Sequence, residues 1–152
     1  MVQNFVVDAS VLVQAFIRDQ DTARVRTLLK GVFDADNPTV IHVPEFCLLE
    51  CANILWKRAQ FHSTPLDAVQ RALNALLAIP LTVQPVITLL PRALAIGVNH
   101  HLTVYDALYV ALAEALRCPL ITVDQRQAGV ATAAGVPLKP VTDFPPYSGG
   151  TT

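Results

Sequence analysis

Charge is scarce in this chain. Only 15% of its 152 residues are charged, 11 Lys and Arg stand against 12 Asp and Glu, and the net charge is −1. That excludes a broad basic field of the kind that holds nucleic acid without specificity, so any polynucleotide must be held by a local patch. Cysteine is scarce as well. Cys47, Cys51 and Cys118 are odd in number, and no histidine or second cysteine pair stands at zinc-ligand spacing from Cys47 and Cys51. All three read as core thiols in a reducing compartment, and the expected location is the cytoplasm.

Other absences remove whole chemistries. There is no glycine-rich phosphate loop, and no serine or cysteine lies in a nucleophile-elbow context. His100 and His101 are adjacent, so on a helix they diverge and read as C-terminal residues rather than a ligand pair; His42 belongs to a strand and His62 to a loop. The longest uncharged stretch, between Arg71 and Arg92, is broken by Pro80, Pro85 and Pro91. It reads as a helix end, a short extended piece and a new helix, not a membrane span. The start of the chain has no basic segment and Asp8 interrupts its apolar run, so no signal peptide is expected.

What the chain has in excess is apolar surface: 53% hydrophobic residues and a mean hydropathy of +0.43. One domain of ordinary size follows from the length, and an apolar face reserved for a partner or a second copy follows from the excess. Strand and helix signals alternate along it. Phe5 to Val7 reads as a buried strand ending at Asp8, with Ser10 capping a short helix to about Phe16. Asp21 caps a second helix. Val40 to Val43 is a second strand, and Pro44 opens the helix that carries Cys47, Glu50 and Asn53. Thr64, Pro65 and Asp67 start a helix to about Ala78, and Thr103 to Asp106 start another to Leu116. Leu120 to Val123 is the last strong strand, stopping at Asp124; a helical segment to Ala134, closed by Gly135, precedes a weak strand near Val136 to Leu138. The expectation is a single α/β domain over residues 1–144 with a mainly parallel sheet, and a disordered tail over 145–152.

Four acids stand in otherwise apolar surroundings: Asp8 in FVVDASVLV, Glu50 in FCLLECANILW, Asp106 in LTVYDALYVALA and Asp124 in PLITVDQR. Burying a carboxylate is costly, so four such cases need a common cause. Few cations accompany them in sequence, only Arg126 near Asp124 and Lys57 with Arg58 after Glu50. Asp8 and Asp124 terminate strands, where crevices form in a parallel sheet, while Glu50 and Asp106 project from helices. A crevice of four carboxylates suits Mg2+ or Mn2+, and such ions serve phosphodiester hydrolysis. Each acid also has a purely structural reading. Asp8 can cap the next helix, Asp106 can close the Thr103 capping box, and Asp124 can start a turn; mid-helix Glu50 has the weakest such reading. Ser10, Asn53 and Thr122 each lie two or three residues from an acid.

The segments DASVL, PEFCLLECANIL with its Glu-x-x-Asn helix, LTVYDALYVALAE and PLITVDQR resemble, in order and spacing, the motifs of PIN-domain ribonucleases, and most of all the VapC toxins of toxin-antitoxin pairs. The match runs from about Val2 to Leu138. It implies a PIN-like three-layer sandwich with a parallel five-stranded sheet in the order 3-2-1-4-5. It further implies a Mg2+ or Mn2+ site made by Asp8, Glu50, Asp106 and Asp124, supported by Ser10, Asn53 and Thr122. RNA would be the substrate, cut by a metal-activated water to leave a 5′-phosphate, and the partners would be a cognate antitoxin and a second copy in a homodimer. Arg18, Arg58, Arg92 and Arg126 are then the candidate phosphate contacts.

Three rival readings remain to be weighed. A haloacid-dehalogenase-like phosphatase needs a second aspartate two residues after the first, and that position is Ser10. A receiver domain would explain the Lys139-Pro140 pair, but the strand Val40 to Val43 ends without an aspartate. The third is a non-catalytic PIN-like module that binds RNA or protein; the presence of all four acids speaks against it.

Overall fold

The computed structural model describes residues 1–149. At its centre lies β1, Gln3–Val7, whose last three residues are buried. Strand β2, Thr39–Pro44, pairs with it on one side and β4, Leu120–Ile121, on the other, while β3, Thr82–Gln84, lies outside β2. All three pairings are parallel, in the order β3-β2-β1-β4. The buried apolar run Phe5–Val7 of β1 suits a strand covered on both faces, while β2 alternates between buried and half-buried positions, with His42 among the latter.

The fifth strand expected near Val136 to Leu138 is reduced to a single parallel bridge between Leu120 and Leu138. Pro137 and Pro140 flank that bridge and have no N–H to offer a ladder, so only Leu120 N to Pro137 O (2.9 Å) and Lys139 N to Leu120 O (3.0 Å) form.

The helices are α1 (Ala9–Val13), α2 (Thr22–Lys30), α3 (Cys47–Phe61), α4 (Leu66–Leu77), α5 (Leu90–His100), α6 (Val104–Leu116) and α7 (Gln125–Ala133). Five local expectations are corrected. Asp21 stands at the N-cap of α2 but makes no side-chain capping bond. Glu50 lies in the first turn of α3, which begins at Cys47, and not mid-helix. Asp8, not Ser10, is the N-cap of α1, because its carboxylate accepts the Ser10 N–H at 3.1 Å. Pro44 ends β2 in register with Gln84 instead of opening α3, and the Glu45 N–H still bonds Gln84 O at 3.0 Å. Strand β4 stops at Ile121, since the Thr122 hydroxyl accepts the Asp124 N–H at 3.1 Å and turns the chain into α7.

Helix α6 is the buried spine. Every residue from Ala107 to Ala113 is buried, so this stretch is enclosed all round, and it packs on β1 and β2. Cys47, Cys51 and Cys118 are buried free thiols. Beyond Phe144 the chain runs along α2: Tyr147 N donates to Ala23 O (2.8 Å), and the Thr27 hydroxyl donates to Pro145 O (2.6 Å). Residues 150–152 of the expected tail lie outside the described residues.

Candidate active site

Each of the four acids sits at the start of a helix. Asp8 and Asp124 are the N-caps of α1 and α7, and Glu50 and Asp106 lie in the first turns of α3 and α6. Helix N-termini carry a partial positive charge, which is how the fold tolerates carboxylates here without spending side-chain cations on them. Among the described residues the ion pairs are Arg58–Asp19, Arg71–Asp67, Arg92–Glu114 and Lys139–Asp143, and none includes a site acid.

Three of the acids feel one another. Burial pushes the Asp8 carboxyl above its ordinary range, offset by hydrogen bonds from Ser10 and increased by the charge of Asp106. Burial pushes Glu50 up to about 7, with the Tyr109 hydroxyl working against the shift and the charges of Asp8 and Asp106 adding to it. Asp106 is raised by burial and by the charge of Asp124, and lowered by Thr103 and by Arg126. Carboxylates whose charges reach one another disfavour ionising together, a condition a bound cation relieves.

Their surroundings hold them in place. Both the N–H and the hydroxyl of Ser10 donate to Asp8 Oδ2. The Tyr109 hydroxyl donates to Glu50 Oε1 at 2.8 Å. Thr103 caps α6 by accepting the Asp106 N–H at 3.2 Å, so the capping bond uses the Asp106 backbone and leaves its carboxylate available. Asp124 Oδ1 accepts the N–H groups of Arg126 (2.9 Å) and Gln127 (3.0 Å), which ties this acid more to α7 than to its neighbours. Asn53 lines a cleft of roughly 490 Å3 with Glu50, Thr103 and Asp106.

Two contributors carried no sequence signal strong enough to find them. Tyr109 is visible only as the residue one turn after Asp106. Gln127, 1% exposed, links the Thr122 hydroxyl (2.6 Å to its Oε1) to the Asp106 carbonyl (3.1 Å from its Nε2). The candidate phosphate contacts are dispersed. Arg58 pairs with Asp19 at 2.5 Å, Arg92 grips both Glu114 oxygens at 2.9 Å, and the Arg126 guanidinium donates to the His101 carbonyl.

The donor set suits a hard divalent cation: all-oxygen, like-charged ligands, with Asp8 buried, Glu50 and Asp106 half-buried and Asp124 exposed, and with none of the four in an ion pair among the described residues. Among the described residues no three aspartate, glutamate, histidine or cysteine groups are gathered tightly enough to hold an ion by themselves. An ion such as Mg2+, which keeps several waters and takes one or two carboxylates, does not require that.

A parallel α/β sheet with acids gathered beyond the carboxyl ends of β1 and β4 defines a crevice-type α/β protein with an acidic centre. The chain belongs to the PIN-domain family, in its VapC branch: the PIN domain profile matches residues 5–133. It is 36% identical over 121 residues to Ribonuclease VapC9 of Mycobacterium tuberculosis, covering 80% of this chain and 86% of that protein. It is 31% identical over 125 residues to Ribonuclease VapC3 of Pyrobaculum aerophilum, covering 81% and 91%. The fold is shared with PAE2754 of Pyrobaculum aerophilum (TM-score 0.68, 24% identity, 94% of each chain). It is shared also with VapC20 of Mycobacterium tuberculosis, a sarcin-ricin-loop-cleaving toxin (TM-score 0.62, 22% identity, 87% of this chain and 95% of that one).

Proposed function

We propose that this protein is a Mg2+- or Mn2+-dependent endoribonuclease and the toxin of a toxin-antitoxin pair. The observation that carries this reading is the trio Asp8, Glu50 and Asp106, half-buried or buried, raised chiefly by burial and further by neighbouring carboxylate charge, and joined in no ion pair among the described residues. The names of the VapC relatives, ribonucleases all, support the same chemistry. When bound, the cation supplies Lewis-acid polarisation of a phosphoryl oxygen and acidification of water. The chain's own residues orient the carboxylates: Ser10 fixes Asp8, Tyr109 fixes Glu50, Thr103 and Gln127 fix the first turn of α6, and Thr122 fixes the turn carrying Asp124. Arg126 is the leading phosphate contact, because its charge already reaches Asp106; Arg18, Arg58 and Arg92 follow.

Leu49 and Tyr105, 73% and 60% exposed, rim the acidic cleft and form the apolar border that an antitoxin segment would cover. Leu90, Leu94 and Val98 recur every four residues along the exposed side of α5, an apolar ridge suited to a second copy in a homodimer. Among the described residues no helix is long and apolar enough to cross a membrane, and three buried free thiols suit the cytoplasm.

Purified protein should cut RNA with Mg2+ or Mn2+, stop with EDTA, and leave ends that a 5′-phosphate-dependent exonuclease degrades. Cleavage in EDTA, or 2′,3′-cyclic phosphate products, would defeat the mechanism. RNA binding without any cleavage would favour the non-catalytic module, and a monomer in light scattering at micromolar concentration would remove the homodimer.

A further inference from the structure

A second cavity, of roughly 540 Å3, opens beside Asp124. That is ample for a small ligand, since such clefts run from about 300 to 1,000 Å3. Its walls come from three places: Gln14, Asp19, Gln20 and Asp21 after α1, Thr122 and Gln125 on either side of Asp124, and residues 140–142. These segments follow β1 with its helix, β4, and the bridge at Leu138, so the cavity opens at the same carboxyl edge of the sheet as the acids.

The chemistry of the walls selects its occupant. No lysine or arginine lines the cavity and two carboxylates do, which disfavours a phosphate there. The Asp19 carboxylate is neutralised by Arg58 at 2.5 Å. Asp21 opens α2 without a side-chain capping bond and joins none of the ion pairs among the described residues, so it remains an acceptor at the cavity wall. Gln14 Oε1 accepts the Asp21 N–H at 3.2 Å, which leaves its amide nitrogen to donate, and Gln20 and Gln125 add two further amides. A neutral, planar group bearing both donors and acceptors matches these walls.

We infer that this cavity is a nucleobase subsite of the RNA cleft, selective for guanine, with Asp21 as the acceptor that reads the base. The inference rests on the ribonuclease reading for the word RNA, but the recognition stands on the walls alone. Guanine is the one common base whose pairing edge sets two adjacent N–H donors, N1 and the exocyclic N2, against a carboxylate with two acceptor oxygens. Its O6 and N7 acceptors suit the glutamine amides. Uracil offers one such donor, and adenine and cytosine place an acceptor beside their amino group.

The dinucleotides GpU, IpU and UpU, titrated in EDTA and followed by backbone and side-chain amide NMR shifts, test this without any cleavage. Inosine differs from guanosine only in lacking the N2 amine. GpU should shift Gln20, Thr122 and Gln125 and bind at least tenfold more tightly than IpU or UpU. In Asp21→Asn, whose melting temperature checks the fold, GpU and IpU should become equal. Equal binding of all three by the parent, no binding at all, shifts confined to other residues, or an undiminished preference in the variant would each overturn the subsite. If RNA is cut with Mn2+ while the dinucleotides bind alike, the subsite falls and the nuclease stands. If GpU is selected but no RNA is cut, the guanine site stands and the nuclease reading falls.

Discussion

The hydroxyl of Tyr109 donates to Glu50 Oε1 at 2.8 Å, across 59 residues of sequence. Tyr109 lies one turn after Asp106 on α6 and Glu50 in the first turn of α3. One hydrogen bond therefore registers two helices that each carry an acid of the site. It also favours the ionised form of Glu50, in opposition to burial, which still leaves that carboxyl at about 7.

The pH dependence of the metal-free fold follows from that shift. Between the ordinary glutamate range and about 7, the native state keeps a proton that the unfolded chain has lost. Stability is therefore highest below the ordinary carboxylate range and falls as pH rises through the folded value. The raised Asp8 and Asp106 act in the same direction. In EDTA, the melting temperature should fall from about pH 5 to about pH 8, and Glu50→Gln should flatten that slope. A slope unchanged in the variant would remove Glu50 as its source.

Asp106→Asn separates a metal site from a helix cap. The capping bond to Thr103 uses the Asp106 backbone N–H, so asparagine leaves it in place. In EDTA the variant should be as stable as the parent or more so. A cation at about 100 times its dissociation constant should stabilise the parent by roughly 2.7 kcal/mol and the variant much less. RNA cleavage should fall by orders of magnitude. Melts with and without Mn2+ give the first result, and an unchanged metal-induced shift takes Asp106 out of the site.

Gln127→Leu keeps the volume of a side chain that is 1% exposed while removing its bonds to Thr122 and the Asp106 carbonyl. Groups left buried without partners should cost about 1–3 kcal/mol. Cleavage should fall at least about tenfold with RNA binding in EDTA little changed, because the first turn of α6 loses a support and not a contact to substrate. Equal losses in binding and cleavage would contradict a positioning role.

Gly97→Ala tests the junction that aims α6. A Cβ there would stand 2.8 Å from the Leu102 carbonyl oxygen, and backbone cannot move aside as a flexible side chain does. The variant should lose about 1–3 kcal/mol in denaturant unfolding, in the range for overpacking. A midpoint equal to the parent's would mean that the turn between α5 and α6 yields freely.

The amino-acid sequence by itself determined the α/β order, a mainly parallel sheet, and the four lone acids, with Asp8 and Asp124 at strand ends and Asp106 at a helix start. These depend on local rules: apolar runs make buried strands, and a short polar side chain before an apolar helix makes a cap. The Thr103 cap of α6 and the αL residue His101 closing α5 are of this kind. The central place of β1 followed only from the resemblance to PIN-domain ribonucleases, and Glu50, read as mid-helix, lies in the first turn of α3. Tertiary structure alone decided the rest. Pro137 and Pro140 reduced a fifth strand to one bridge, Pro44 stayed in β2 because Gln84 was there to pair with it, and Asp19 and Glu114 engaged two arginines that sequence had offered to phosphate. Tyr109 and Gln127 reach the candidate site through hydrogen-bond partners 59 and 21 residues away. Period and capping repeat over a few residues and can be read along a chain, whereas a hydrogen bond between two helices exists only once packing has fixed the distance between them.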